Sequence, residues 1–364
     1  MSAVMPLPDD SLGEFLDESC AAAWPQDAWD FLPLYLSGGQ VAELAARAAI
    51  LEAAVSPKPG LVCLGSNGAH SDMDYPLFVR SAKALRPYFA QAHALGQSTH
   101  CLAPDQVFAR LRPLGVRAEQ DMLRATAGVN THKGLIFSMG LFCAALGRLG
   151  ANMGSDTGVN LGAISGRRFG RQMVTAHALR QEAASFVRGI VQNDFAPLAV
   201  HKTKMQNLLR GVVGQNPRAA RPVLEAQLQR TLTAGEVLYL LYGITGIRGE
   251  AERGFPHVGL ALHALDAHGA ARDLNMAMVH CLLELVQTMD DTNILWRGGP
   301  QGLRHAANSA RAALAAGGLR TPVGQAALRR MSADFARKRL SPGGCADILA
   351  VSVFLRLLRC HGAD

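Results

Sequence analysis

The chain has 364 residues, 49% of them hydrophobic and 18% charged, with 36 Lys and Arg against 29 Asp and Glu and a formal net charge of +7. This favours a compact globular protein over a disordered one. With no long basic run it offers no clustered face for nucleic acid, and the modest basic excess suits anionic small molecules or an acidic protein partner.

In chain order, residues 1–36 are acidic and contain prolines, and they read as an N-terminal arm. They carry Asp9, Asp10, Glu14 and Asp17 and lack an apolar run behind a basic start, so they are not expected to be a signal peptide. Residues 37–364 read as one domain. The segment VAELAARAAILEAAV is apolar on most faces and predicts a buried helix, stopped by Pro57 and Pro59. The loop SPKPGLVCLGSNGAHSDMDY (56–75) follows, and helical spacing then resumes with Phe78, Ala82, Leu85 and Phe89 on one stripe. GVNTHKG (128–134) precedes the apolar helix LIFSMGLFCAALGRL. A glycine-rich stretch over 150–170 leads to a polar helix near 172–192, and GQNPRAARP (214–222) reads as an exposed turn. GITGIRGEAERGFP (243–256) and MDDTNILWRGGP (289–300) read as loops that follow apolar helices, and SPGG opens a terminal helix.

Almost no segment alternates with period two, so the expected fold class is all-α, a single multi-helix bundle. The apolar stretches near 134–146 and 348–358 are too short to span a bilayer or carry charge, so no membrane partner is expected. The seven cysteines are scattered and never in CxxC spacing, which fits buried thiols of a reduced, cytoplasmic protein.

The glycine-bearing loops hold an unusual polar set. Lys58, Arg80, Lys133, Arg248 and Arg297 are the cations; Glu52, Asp72, Asp74, Glu250, Glu252, Asp290, Asp291 and Asp347 are the carboxylates; His70 and His132 complete it. The mixture suits a polyphosphate held by cations and bridged by Mg²⁺ on carboxylates. Each member also has a plainer reading. Asp72 and Asp74 can offset a helix dipole, Asp290 and Asp291 can form a turn, and Gly298 and Gly299 can end a helix. GxxxxGK[ST], GxGxxG after a strand, GxSxG and HExxH are all missing, which excludes a P-loop, a Rossmann site, a nucleophile elbow and a zincin.

Six ordered motifs carry a resemblance: SPKPGLV (56–62), GAHSDMD (68–74), GVNTHKG (128–134), GIRGEAERGFP (246–256), DDTNILWRGG (290–299) and LSPGGCADILA (340–350). Together they resemble the triphosphoribosyl-dephospho-CoA synthases from about residue 40 to the C-terminus. The pairing of SDMDYPLF with SPGGCADILA looks more like the malonate decarboxylase branch than the citrate lyase branch. Cys63 and Trp296 depart from the pattern, standing where relatives often carry a polar residue and His.

The resemblance implies an all-α fold and the reaction ATP plus 3'-dephospho-CoA to 2'-(5''-triphosphoribosyl)-3'-dephospho-CoA plus adenine. It also implies a separate holo-acyl-carrier-protein synthase-type transferase that receives the product. The glycine-rich loops would form one nucleotide-binding cleft. Asp72, Asp74, Asp290 and Asp291 are the expected Mg²⁺ ligands. Lys58, Lys133, Arg248 and Arg297 are expected on phosphates, and the binding set also takes in His70, Arg80, Asn130, Thr131, Gly298, Gly299, Ser341, Gly343 and Gly344. Glu250 or Asp347 would be the general base, with Glu52 a third candidate, and His132 the donor near adenine or phosphate. A Mg²⁺-dependent N-ribosyl hydrolase and a non-catalytic helical nucleotide-binding module remain alternatives, and Ala-rich faces are compatible with a homodimer.

Overall fold

The computed structural model describes residues 31–154, 165–168, 171–209, 216–270 and 272–361. Residues 1–30 of the expected arm, most of the glycine-rich stretch and the start of the GQNPRAARP turn lie outside the described residues.

Strand β1 (Phe31–Pro33) leads into helix α1 (Gly38–Ala54). Ser37 starts α1 with a reciprocal cap: its hydroxyl accepts from the Gln40 N–H, and the Gln40 side chain accepts from the Ser37 N–H at 2.9 Å. Ala-rich and buried on most faces, α1 lies between α2 (Tyr75–Ser98) and α15 (Gly343–His361). Helix α2 packs in turn on α3 (Pro104–Ala125) and α4 (Lys133–Gly154). The α2–α4 crossing is nearly backbone to backbone: a Cβ at Gly96 would lie 1.9 Å from the Ala144 carbonyl oxygen. Helix α4 is long and apolar enough to cross a membrane, yet 72% of its apolar window is buried inside the protein, as in a core helix.

Strands β2 (Ser165–Arg168) and β3 (Arg171–Thr175) follow, then α5 (Ala176–Ser185), α6 (Ile190–Ala199), α7 (Lys202–Leu209), α8 (Pro217–Leu228), α9 (Ala234–Tyr242) and α10 (Gly246–Glu252). Helices α11 (Pro256–Ala267), α12 (Leu274–Thr288), α13 (Thr292–Ala315) and α14 (Pro322–Lys338) precede α15, which packs on α1, α4, α11, α12 and α13. The main core runs through these elements and contains the fully buried Phe89, Phe142, Phe255, Phe335 and Phe354. A smaller apolar cluster joins Phe195, Met205, Leu224 and Leu240, and Trp296 packs against it. That contact gives the departure at Trp296 a structural task. Cys63 is buried, and its backbone pairs with Ser66.

Among the described residues the chain is all-α apart from one small antiparallel sheet of order β1-β3-β2, in which Leu32 stands opposite Val174. Leu32, Leu34 and Leu36 are buried in the main core, so residues 32–36 at the end of the expected arm pack into the body. Four expectations need correction. Residues 217–222 of the expected exposed turn are the start of α8, capped by Asn216, with Pro217 and Ala220 buried. Residues 172–192 are not one helix: residues 171–175 pair with β1, Thr175 caps α5 by accepting from the Ala178 N–H at 3.0 Å, and Gly189, at φ 79°, separates α5 from α6. The stretch 243–256 contains α10. The stretch 289–300 begins α13, because Asp291 caps it and Ile294 and Leu295 bury themselves; Gly299, at φ 61°, then bends the helix.

Candidate active site

Glu52 ends the last full turn of α1 with its side chain inside the protein, and the two prolines of SPKPG turn Lys58 back onto it. The Lys58 Nζ donates to Glu52 Oε1 at 2.6 Å and to the Glu52 carbonyl at 2.5 Å, with side-chain exposures of 1% and 5% for the two residues. Burial pushes the Glu52 carboxyl upward, and the Lys58 ammonium offsets only part of that.

Asp347, on the first turn of α15, reaches the N-terminus of α4. A Cβ at Gly134 would fall 2.0 Å from Asp347 Oδ2, so only glycine admits the carboxylate there, where it accepts from the Leu135 N–H. Burial, then the charges of Glu52 and Asp291, hold the Asp347 carboxyl well above the usual range. Asp291 is itself consumed: Oδ1 accepts from the N–H groups of Asn293 at 2.8 Å and Ile294 at 3.0 Å, and Oδ2 from Cys345 at 2.8 Å. It ties the start of α13 to the start of α15. Gly343 and Gly344 pack against Asn293 and Asp291, and Gly298 against Leu340.

His132 is buried just before α4, with Phe78 edge-on at 5.0 Å between ring centroids. Its Nδ1 lies 2.7 Å from the Ser81 hydroxyl, which also accepts from Thr131 Oγ1 at 2.7 Å. Its Nε2 is buried with no hydrogen-bond partner. Burial, then the Lys58 charge, pushes the imidazole down to about 3, so it is neutral at neutral pH. His70 is lowered to about 4 by burial and then by Arg297; it pairs with Ser341 Oγ at 2.9 Å, and Arg297 also donates to the Arg339 carbonyl at 3.3 Å. Five of the six motifs therefore meet, SPKPGLV joining through Gly60, which packs on Leu340 and accepts from the Ala69 N–H at 3.2 Å, and the sixth touches them, since Gly246 packs on Thr292.

Other predicted residues have different partners. Glu250 is buried and accepts from the His257 N–H at 2.8 Å and Nδ1 at 2.9 Å, which secures the start of α11. Arg248 pairs with Asp194 at 2.7 Å and Arg112 with the same carboxylate at 3.1 Å, and Lys133 pairs with Glu119 at 2.8 Å. Asn130 Oδ1 accepts from the Lys133 N–H at 3.3 Å. Arg80 is exposed on α2. Asp74 caps α2 by accepting from the Leu77 N–H at 2.8 Å; Asp72 is exposed, 3.8 Å from His70, and Asp290 is exposed. Among the described residues, no three His, Cys, Asp or Glu gather to hold a metal ion. Ser81 escaped the reading of the sequence. Its signal was a hydroxyl on the buried stripe between Leu77 and Leu85, four residues from each.

This end of the bundle is a rigid helical scaffold that buries carboxylates beside one lysine and a neutral imidazole, as acid–base chemistry on a charged substrate requires. A family model described as ATP:dephospho-CoA triphosphoribosyl transferase (CitG) matches residues 39–364. A relative from Citrobacter koseri, named "Probable 2-(5''-triphosphoribosyl)-3'-dephosphocoenzyme-A synthase", is 38% identical over 316 residues, covering 86% of this chain and 88% of its own. A crystal structure from Archaeoglobus fulgidus, described as a candidate triphosphoribosyl-dephospho-CoA synthase, aligns with a TM-score of 0.42 at 15% identity, over 77% of this chain and 97% of that one. The chain belongs to the ATP:dephospho-CoA triphosphoribosyl transferase family and is a transferase.

Proposed function

We propose that this protein moves the triphosphoribosyl group of ATP onto the 2'-hydroxyl of 3'-dephospho-CoA, with Asp347 as the general base. The observation that carries the assignment is the state of that carboxylate. It is partly buried, is held at high basicity, and has a backbone N–H to orient it. Glu52 is locked to Lys58, and Glu250 to His257. Among the described residues, Asp347 is the base candidate with no cationic side chain paired to it.

The step breaks the bond between ribose C1 and adenine N9, and its electron pair goes to the purine. The acceptor oxygen forms the new bond to C1 and gives its proton to Asp347, which returns it to solvent; adenine takes one proton from solvent, so the balance closes. The transition state has oxocarbenium character, as in glycoside hydrolysis, and the carboxylates of Glu52, Asp291 and Asp347 supply the negative field that favours it. Arg297 would meet phosphate oxygens, with Lys133 and Arg248 giving up their surface partners to do the same. Where Mg²⁺ accompanies the triphosphate, Asp72 and Asp290, whose oxygens cap no helix, would hold it, and it would neutralise phosphate charge there.

The motif pairing noted above favours supply of the prosthetic-group precursor to the carrier subunit of malonate decarboxylase, through a separate transferase. Incubation with ATP, Mg²⁺ and 3'-dephospho-CoA should release adenine at a rate that follows acceptor concentration. Adenine release that ignores the acceptor would instead indicate a hydrolase, and none at all a binding module. Supplying the product to the transferase with each apo carrier protein distinguishes the malonate from the citrate route.

A further inference from the structure

We infer that Ser81 is a positioning residue for this reaction: with Thr131 it locks His132 as the neutral tautomer protonated at Nε2, and that N–H is the hydrogen-bond donor to a ring nitrogen of the departing purine. The donor role rests on the transfer reading above; the tautomer does not.

Three groups form one chain. Thr131 Oγ1 donates to Ser81 Oγ at 2.7 Å, and Ser81 Oγ lies 2.7 Å from His132 Nδ1. Ser81 is fully buried. Its oxygen already receives the Thr131 proton, so its own proton has Nδ1 as its acceptor. In the reverse arrangement, with Nδ1 protonated, the Ser81 proton would have to turn to Thr131 Oγ1, and Thr131 would lose the acceptor it has here. An imidazole that accepts at Nδ1 and is neutral carries its proton on Nε2.

That N–H is the part without a partner. Nε2 is buried and unbonded in a residue that is 3% exposed. A buried donor with no acceptor is rare in folded proteins, and at a functional site it points to a missing ligand atom. The surroundings select the ligand. Phe78 stands edge-on to the ring, and the His132 backbone N–H is spent on the Met122 sulfur at 3.2 Å. The Phe78 ring beside one neutral donor fits a purine edge, and the neighbouring Lys58 is already engaged by Glu52 and so is not offered to a phosphate. The nearby Lys58 charge works in the same direction by keeping the ring neutral, so His132 donates a hydrogen bond and keeps its proton throughout. The negative charge that develops on the purine as the C1–N9 bond breaks strengthens that bond in the transition state.

Nitrogen NMR of the full chain carrying labelled histidine, with His132→Gln to assign the signal, reads the tautomer directly. The expected result is a bare Nδ1 and a protonated Nε2 in the free protein. Free adenine, the reaction's own product, should shift the Nε2–H, and tripolyphosphate alone should leave it in place. Protonation at Nδ1, or a response to tripolyphosphate and none to adenine, overturns the proposal. Ser81→Ala should mix the tautomers and lower kcat for adenine release by about 10–100-fold, the usual size for a residue that orients another, with KM for dephospho-CoA little changed. Thr131→Val should show a smaller loss in the same direction, and Thr131→Ser should restore both rate and tautomer. If Ser81→Ala does not fold, the spectrum of Thr131→Val decides. A Ser81→Ala enzyme with the wild-type rate and tautomer overturns the positioning role. A wild-type protein that binds adenine at Nε2 yet releases none from ATP would overturn the reaction and keep the donor assignment.

Discussion

Glu52 and Glu250 are both buried, at 4% and 3% exposure, and both stood as candidate bases in the sequence. Around Glu52 the charges do not cancel. Lys58 faces Glu52, but burial and then the Glu52 and Asp291 charges still raise the proton affinity of Asp347, and a histidine nitrogen is left without a partner. Around Glu250 the hydrogen bonds are complete: the His257 N–H and ring nitrogen occupy its two oxygens, with Arg253 at 3.7 Å. Burial alone does not mark a functional carboxylate. What separates the two regions is that one leaves proton-accepting capacity and an open donor, and the other closes every bond to hold a helix start.

The largest effect that tests this contrast is Asp347→Asn, which should lower adenine release by about 10²–10⁴-fold with the helical circular dichroism intact. The same substitution should raise the melting temperature at pH 8. The folded-state carboxyl of Asp347 is raised, so between the unfolded value and the folded one the native state binds more protons than the unfolded state. Stability due to this group is therefore present at low pH and is lost as pH rises through the folded value, and the neutral amide removes that loss. Activity moves the other way, rising with pH as Asp347 ionises. Full activity in Asp347→Asn would remove the base assignment.

Next in size, Lys58→Met should destabilise the fold by about 3–5 kcal/mol, because it leaves Glu52 buried without its cation. Urea unfolding of Lys58→Met against the double variant with Glu52→Gln should recover much of that loss. Glu250→Ala should cost about 1–3 kcal/mol through the unpaired His257 N–H while adenine release persists. If Glu250→Ala abolishes turnover at unchanged stability, the two regions have been assigned the wrong way round. Smallest is Lys133→Ala. Its pair with Glu119 is 60% exposed on the lysine side, so stability should change by less than about 1 kcal/mol, and a rise in KM for ATP would mark the phosphate role.

Much of this was legible from local chemistry. The helix start at Asp74 follows from a side chain that accepts its own helix's N–H, and the absence of period-two segments indicates the all-α class. The errors share a cause. Residues 171–175 carry no strand signal of their own and become one because β2 beside them and β1, far away in sequence, both offer a partner. Residues 292–298 look like a glycine-rich loop, yet Ile294 and Leu295 gain enough burial to stay helical up to the bend at Gly299. Ser81 sat in view on an apolar stripe, and without knowing that His132 and Thr131 lie against it a buried hydroxyl has no meaning.

By itself, then, the amino-acid sequence determined which residues are available: the helical framework, the glycines that admit close approach, and the motif positions that carry charge. Those properties depend on neighbours within a turn or two. Which carboxylate is a cap, which is neutralised and which is left basic was decided only by the fold, because a side chain's proton affinity depends on groups brought to it through space. Asp291 and Asp347 have similar local settings at the starts of two helices. Three backbone N–H groups occupy the one; a single N–H and two like charges meet the other.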